Sequence, residues 1–120
     1  MARVDLGREA EALAAALLSR AGMTVLGRRV RTRGGELDLV AQDGATLVFV
    51  EVKGRGRLDF GRAEEMVDGR KRRRLAAAAE AYLSRLPQPA PPCRFDVVAV
   101  EFAEGHPNLR HIRDAFRTGD

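Results

Sequence analysis

Two short runs joined by a glycine turn constrain this chain more than anything else in it. They are GELDLVAQD (Gly35 to Asp43) and TLVFVEVK (Thr46 to Lys53). Each has strand length and strand composition, and Asp43-Gly44-Ala45 between them is turn chemistry for an antiparallel hairpin. The second run is apolar on both faces, which predicts a buried, central strand. Side chains alternate with period two, so a two-residue turn puts Glu36, Asp38, Glu51 and Lys53 on one side of the sheet. With Asp43-Gly44 as the turn, Asp38 faces Phe49 and Glu51 is its diagonal neighbour, roughly 7–8 Å away. With Gly44-Ala45 as the turn, Asp38 faces Glu51 at about 4.5–5.5 Å. A three-residue loop would turn one strand over and separate the group.

Several charges on one face of a central hairpin need an explanation, because ionised carboxylates are costly to bury without partners. A divalent cation removes the repulsion. Mg²⁺ or Mn²⁺ takes a few carboxylate oxygens plus waters and leaves positions for a phosphate. Asp38, Glu51 and Glu36 are the metal candidates on this hairpin. Lys53 can orient or deprotonate a metal-bound water, or stabilise charge on the phosphate. The competing explanation is a cross-strand salt-bridge cluster at a sheet end.

The rest of the chain supplies a frame. Gly7 to Ala21 is Ala- and Leu-rich at helical spacing and stops at Gly22. Met23 to Arg31 reads as a strand with a bulge at Gly27. Arg62 to Leu86 reads as a helix with a break at Gly69, and the stiff PQPAPP segment follows it. CRFDVVAVEF is a further strand, and LRHIRDAF is an edge strand or a short tail element. The order α-β-β-β-α-β predicts one α/β domain over residues 1–120, a mixed sheet flanked by helices. Cys93 is the sole cysteine, which excludes an internal disulfide and a cysteine-based zinc site and suits a reducing cytoplasm. The first residues show no clear signal-peptide cleavage region, and no run is long enough to span a membrane. His106 and His111 read as surface residues, Cys93 and Tyr82 as packing, and Asp96 as support for the sheet or a nearby arginine.

The run GELDLVAQDGATLVFVEVKGR resembles the GE(I/L)DL(I/V)A…LVFVEVK core of the YraN-like bacterial family, which is grouped with the restriction-endonuclease-like, PD-(D/E)XK superfamily. Asp38, twelve residues, then Glu51-Val52-Lys53 match the superfamily's D…(E)XK core. Phe60-Gly61, Val67 and Lys71 resemble the family's FG…V…K segment, and Arg94 to Val98 its RFDV strand. The resemblance covers residues 7–101 and leaves 102–120 as a C-terminal extension. It implies a restriction-endonuclease-like fold, a metal site and contact with nucleic acid. It also implies a fourth carboxylate from the first helix, similar to archaeal Holliday-junction resolvases. Glu11 aligns there, with Glu9 as the nearby alternative. Gly54 stands where the family commonly has Thr, and Arg29 where Asn is common.

Lys plus Arg is 21 against 17 for Asp plus Glu, a net charge of +4. Its distribution says more. Arg28, Arg29, Arg31 and Arg33 form one cluster, Arg70 to Arg74 (with Lys71, Arg72 and Arg73) a second, and Lys53, Arg55 and Arg57 a third. Three basic clusters around the carboxylate face predict a phosphate-tracking surface. Tryptophan is absent and aromatics make up 5% of the chain, so sequence-tolerant contact is expected over base stacking. The function that follows is a Mg²⁺- or Mn²⁺-dependent nuclease acting on DNA, branched or otherwise structured. The alternatives are a non-catalytic nucleic-acid-binding module of the same fold and an adaptor for an acidic protein. By analogy with resolvases, a homodimer is an option.

Overall fold

The computed structural model describes residues 6–55, 68–103 and 105–117. In chain order the elements are α1 (Leu6–Arg20), β1 (Thr24–Thr32), β2 (Gly35–Asp43), β3 (Thr46–Arg55), α2 (Gly69–Leu83), β4 (Cys93–Ala103) and β5 (His106–Phe116). The α-β-β-β-α-β order of the sequence is present, and the segment left open between strand and tail is the edge strand β5. The sheet order is β1-β2-β3-β4-β5. All neighbours are antiparallel except β3 and β4, which are parallel and joined through α2. Parallel neighbours require such a crossover.

The helices cover opposite faces. Ala10, Ala14 and Leu18 of α1 pack with Leu39, Ala41, Val48, Val50, Val98 and Val100. Leu75, Ala78 and Ala79 of α2 pack with Leu37, Val40, Phe49, Phe95 and Val97. β3, apolar on both faces, therefore lies at the centre of a three-layer core, as its composition predicts.

Local chemistry sets the element ends. Gly22, at φ +94°, closes α1, with Met23 N–H donating to Leu18 O at 3.0 Å and Gly22 N–H to Ser19 O at 3.1 Å. The bulge expected at Gly27 is present, as a register shift between Val25 and Gly27. α2 starts at Gly69, where the sequence only suggests a break. The Asp68 carboxylate caps it by accepting the Lys71 N–H at 2.9 Å. The expected helical residues before Asp68, Arg62 to Val67, lie outside the described residues, as do Arg57 and Phe60-Gly61.

The β1–β2 turn, Arg33-Gly34, lies directly on α2. A methyl group at Gly34 would overlap the main-chain carbonyl of Ala77, and the next glycine, Gly35, has φ +137°. The alanine run of α2 permits this approach. Two readings of individual residues change and a third holds. Cys93 is exposed at the start of β4 and does not pack. His111 is not a surface residue, because its Nε2 lies 2.8 Å from the fully buried Asp96. Asp96 does support the sheet, holding Arg94 Nε at 3.0 Å and the Asp114 N–H at 2.9 Å.

The contact at Gly34 gives a stability prediction. Gly34→Ala should destabilise the protein by about 1–3 kcal/mol, because neither backbone can yield. Urea unfolding should show a lower midpoint at an unchanged slope. A change too small to resolve would contradict the close approach.

Candidate metal centre

The hairpin turn is Gly44-Ala45, with Asp43 opposite Thr46 and Leu39 opposite Val50. This is the second of the two registers, and continued by one step it sets Asp38 across from Glu51. The ladder stops at that step. β2 goes on pairing with β1 as far as Gly35, and β3 with β4 as far as Arg55, but not with each other. The two strands part at Asp38. Leu37 and Leu39, two residues apart, belong to opposite core layers, so the side-chain alternation also breaks there. Across β1, the residue opposite Asp38 is Arg29, which adopts φ +51°.

The open end of the hairpin is a cleft of about 250 Å³, lined by Gly34, Gly35, Glu36, Asp38, Glu51 and Lys71, with Arg74 at its side. Asp38 Oδ2 accepts the Val52 N–H at 2.8 Å. This main-chain donor has lost its strand partner, and the carboxylate replaces it. Asp38 and Glu51 also share a hydrogen bond between their carboxyl groups. Two lysines face Glu51, whose side chain is 5% exposed. Lys53 Nζ stands 3.4 Å from Glu51 Oε2, and Lys71 Nζ is in direct contact with the same oxygen.

The protonation states follow from this packing. Burial, then the hydrogen bond and charge of Glu51, push Asp38 up to about 7. Burial also opposes ionisation of Glu51, but the hydrogen bonds from Asp38 and Lys71 and the charges of both lysines outweigh it and hold Glu51 below its ordinary value. Burial and the neighbouring Lys71 lower Lys53. Lys71 is raised because its contacts with Glu51 and Lys53 and the nearby carboxylates outweigh its burial. Below neutral pH the carboxyl pair thus holds one proton between two acids, and it gives that proton up as pH rises through about 7.

Two of the four carboxylates expected around a metal come together, and two do not. Glu36 reaches the rim of the cleft but is half exposed and pairs with Arg31 at 3.4 Å. Glu11 is the buried one of the two helix candidates, Glu9 being exposed. It stays with β1, pairing with Arg28 at 3.4 Å and Arg29 at 3.0 Å. Among the described residues no three His, Cys, Asp or Glu side chains stand close enough to hold a metal ion. The positive φ of Arg29 lets two consecutive arginines reach one glutamate, at a cost of about 1–3 kcal/mol that the ion pairs offset. Glu11 thereby supports the distorted strand behind Asp38.

The basic clusters divide in the same way. Arg28 and Arg29 are committed to Glu11. Arg31 is highly exposed despite its pairing with Glu36. Arg33 is exposed on the turn that lies on α2, and Arg73 is exposed on α2 itself. Arg72 lies over the Phe116 ring, 5.4 Å from its centroid. Lys71, expected to be one member of a phosphate-binding run, is seated on Glu51. The sequence signal for this was its place at the end of the FG…V…K segment. The side chain of Arg55 is not among those described.

Residues 10–100 match the model of a family described as "Uncharacterised protein family UPF0102". The chain is similar to a UPF0102 protein of Symbiobacterium thermophilum, 48% identical over 92% of this chain and 95% of that protein. A UPF0102 protein of Pseudomonas aeruginosa is 49% identical over 93% of this chain and 92% of its own length. One of Xanthomonas campestris pv. campestris is 50% identical over 99% and 97%.

The shared proton predicts a pH dependence. The unfolded chain releases the Asp38 proton near the ordinary 3.8, while the folded protein keeps it to about 7. The stability it contributes is full below pH 4 and is lost as pH rises through 7. Asp38→Asn fixes the protonated form. Without divalent metal, its melting temperature should exceed that of the unaltered protein by a few degrees at pH 8, with the gain fading by pH 5. A gain independent of pH would contradict the shared proton.

Proposed function

We infer that this chain, which belongs to the uncharacterised protein family UPF0102, is a divalent-metal-dependent nuclease that hydrolyses phosphodiester bonds in DNA, in branched or otherwise structured form. The observation that carries the reading is the adjacent pair Asp38 and Glu51, in a cleft open to solvent and flanked by two lysines. Two carboxylates with room for water beside them are an oxygen donor set suited to Mg²⁺ or Mn²⁺. A proton now shared between the acids would give way to the cation. When bound, such a cation supplies charge to the phosphate and acidity to a water.

The protein's own residues have separable roles. Asp38 and Glu51 hold the cation, and the bond from Val52 fixes the Asp38 carboxylate in place. Lys53, 3.4 Å from Glu51 on the central strand, is a cation close to the metal carboxylates for an attacking water or a phosphate oxygen. It orients the one or balances the charge of the other. Glu36, at the rim, reaches the site through water. Glu11 acts from behind through Arg29.

Binding of a polyanion is supported by the charge at the start of α2, where the Asp68 cap is followed closely by five basic residues. The first turn of α2 carries no acid, and Arg70, Lys71, Arg72, Arg73 and Arg74 load its positive end with more positive charge. Arg70, Lys71 and Arg72, in the first turn, each cost roughly 0.3–1 kcal/mol against the helix dipole. A helix start of this kind favours phosphate. Arg31 and Arg33, on the hairpin that lies on α2, extend the same surface. Few aromatic residues and many arginines suit recognition of backbone and shape over base edges. A homodimer, as among resolvases, would present two such sites to a junction. Among the described residues no helix is long and apolar enough to cross a membrane.

The test is a panel of duplex, single-stranded and branched DNA and of RNA, incubated with the protein and Mg²⁺ or Mn²⁺. Cleavage of at least one DNA form is expected, falling by roughly 10²–10³-fold in Asp38→Ala and in Lys53→Ala. Cleavage undiminished in both variants would remove the assignment. Salt-sensitive binding without turnover under either metal would leave a non-catalytic binding module instead. No affinity for nucleic acid at low salt would point to an acidic protein partner.

A further inference from the structure

We propose that Lys71 is the resident counter-ion of the Asp38–Glu51 pair, and that a divalent cation entering the cleft displaces its ammonium group from Glu51. The inference rests on reading that pair as a metal site. It adds a built-in competitor that sets how much metal the site requires.

The two lysines on Glu51 are held differently. Lys53 lies on β3, two residues from Glu51, and its main chain is locked by pairing with Ala99 of β4. Its ammonium stays 3.4 Å from Glu51 Oε2. Lys71 reaches the same oxygen from across the cleft, in direct contact, and its side chain is 30% exposed. Its main chain is fixed by the Asp68 cap, but a four-carbon stem separates that anchor from the charge. Lys71 can therefore swing outward while its helix stays in place. Lys53 has a similar stem, but its contact with Glu51 is the longer of the two, so an entering cation competes first with Lys71.

Glu51 makes the contact exclusive. At 5% exposure it is reached chiefly from the cleft, and Lys71 lines that cleft. A cation shared by Asp38 and Glu51 needs the space and the carboxylate that Lys71 holds. Retaining Lys71 there beside a divalent cation would crowd like charges at contact distance in a partly buried site. Such charges are tolerated only when paired. Departure of the ammonium relieves both conflicts. It also frees a cation on the first turn of α2, where the arginines lie.

The experiment measures Mn²⁺ binding by electron paramagnetic resonance and calorimetry on the full chain, without substrate. The set is the unaltered protein, Lys71→Met, Lys53→Met and Glu51→Gln. Lys71→Met should bind Mn²⁺ about tenfold more tightly, Lys53→Met should change the Kd by less than about threefold, and Glu51→Gln should abolish binding. Equal tightening in the two lysine variants would overturn displacement, since it reports general charge repulsion. Unchanged or weaker binding in Lys71→Met, with Glu51→Gln still abolishing it, would overturn displacement and leave the metal site standing. No Mn²⁺ bound by the folded protein or by Lys71→Met would overturn the metal reading and this inference with it.

A second measurement uses the unaltered protein and so does not depend on variants folding. The Lys71 ammonium resonance, protected by Glu51 in metal-free protein, should be lost to fast exchange as Mg²⁺ is added. Persistence of that resonance at saturating Mg²⁺ would overturn the proposal.

Discussion

The hydrogen bond from the Val52 N–H to Asp38 at 2.8 Å is the contact on which the candidate site depends. β2 and β3 pair as far as Leu39 and Val50 and then separate, each continuing with its other neighbour. The next donor on β3 is left without a carbonyl, and a part-buried N–H must find an acceptor. Asp38 supplies one from its side chain. The same bond thus ends the ladder, fixes a carboxylate at the fork and opens the cleft. Both flanks are adapted to it. Arg29 takes a positive φ opposite Asp38, secured by Glu11, and the Gly34 turn presses onto the alanine surface of α2.

The fork gathers charge that a sheet interior ordinarily avoids. Two acids share a proton until pH rises through about 7, and two lysines compete for one of them. A purely structural salt-bridge cluster would match opposite charges and keep both acids ionised. Here one acid is pushed to about 7 by burial and by its twin. Perturbation of this kind gathers at functional sites, and it is the ground for reading the fork as one. The contrast lies elsewhere in the same sheet. Asp96 is fully buried, yet Arg94, His111 and a main-chain donor satisfy it, and despite its burial these partners hold it below its ordinary value. The buried aspartate is satisfied by its neighbours, and the partly buried one at the fork is not.

Much of this was legible in the sequence, for physical reasons. Strand alternation and a glycine turn placed Asp38 and Glu51 on one face, because period-two geometry leaves few alternatives. The choice between Gly44-Ala45 and Asp43-Gly44 was not legible, because both satisfy the turn chemistry. The parting of the strands was hidden as well. Leu37 and Leu39 look like one alternating face, and only the competition of a side chain for Val52 breaks it. Glu36 and Glu11 carry the right charge, but local pairing with Arg31, and with Arg28 and Arg29, decided where they went. His111 looked solvated in a polar tail that proved to be an edge strand. Lys71 was seen as one charge in a run of five, and helix phase singled it out for Glu51.

The central claim is that Asp38 and Glu51 together hold a divalent cation. A crystal structure of the protein with Mn²⁺, recorded at a wavelength where manganese scatters anomalously, tests it most directly. The account predicts an anomalous peak at the fork, bonded to an oxygen of each carboxylate, with Lys71 turned away from Glu51. Crystals equilibrated with Mn²⁺ that show no peak there, and Lys71 still on Glu51, would contradict it.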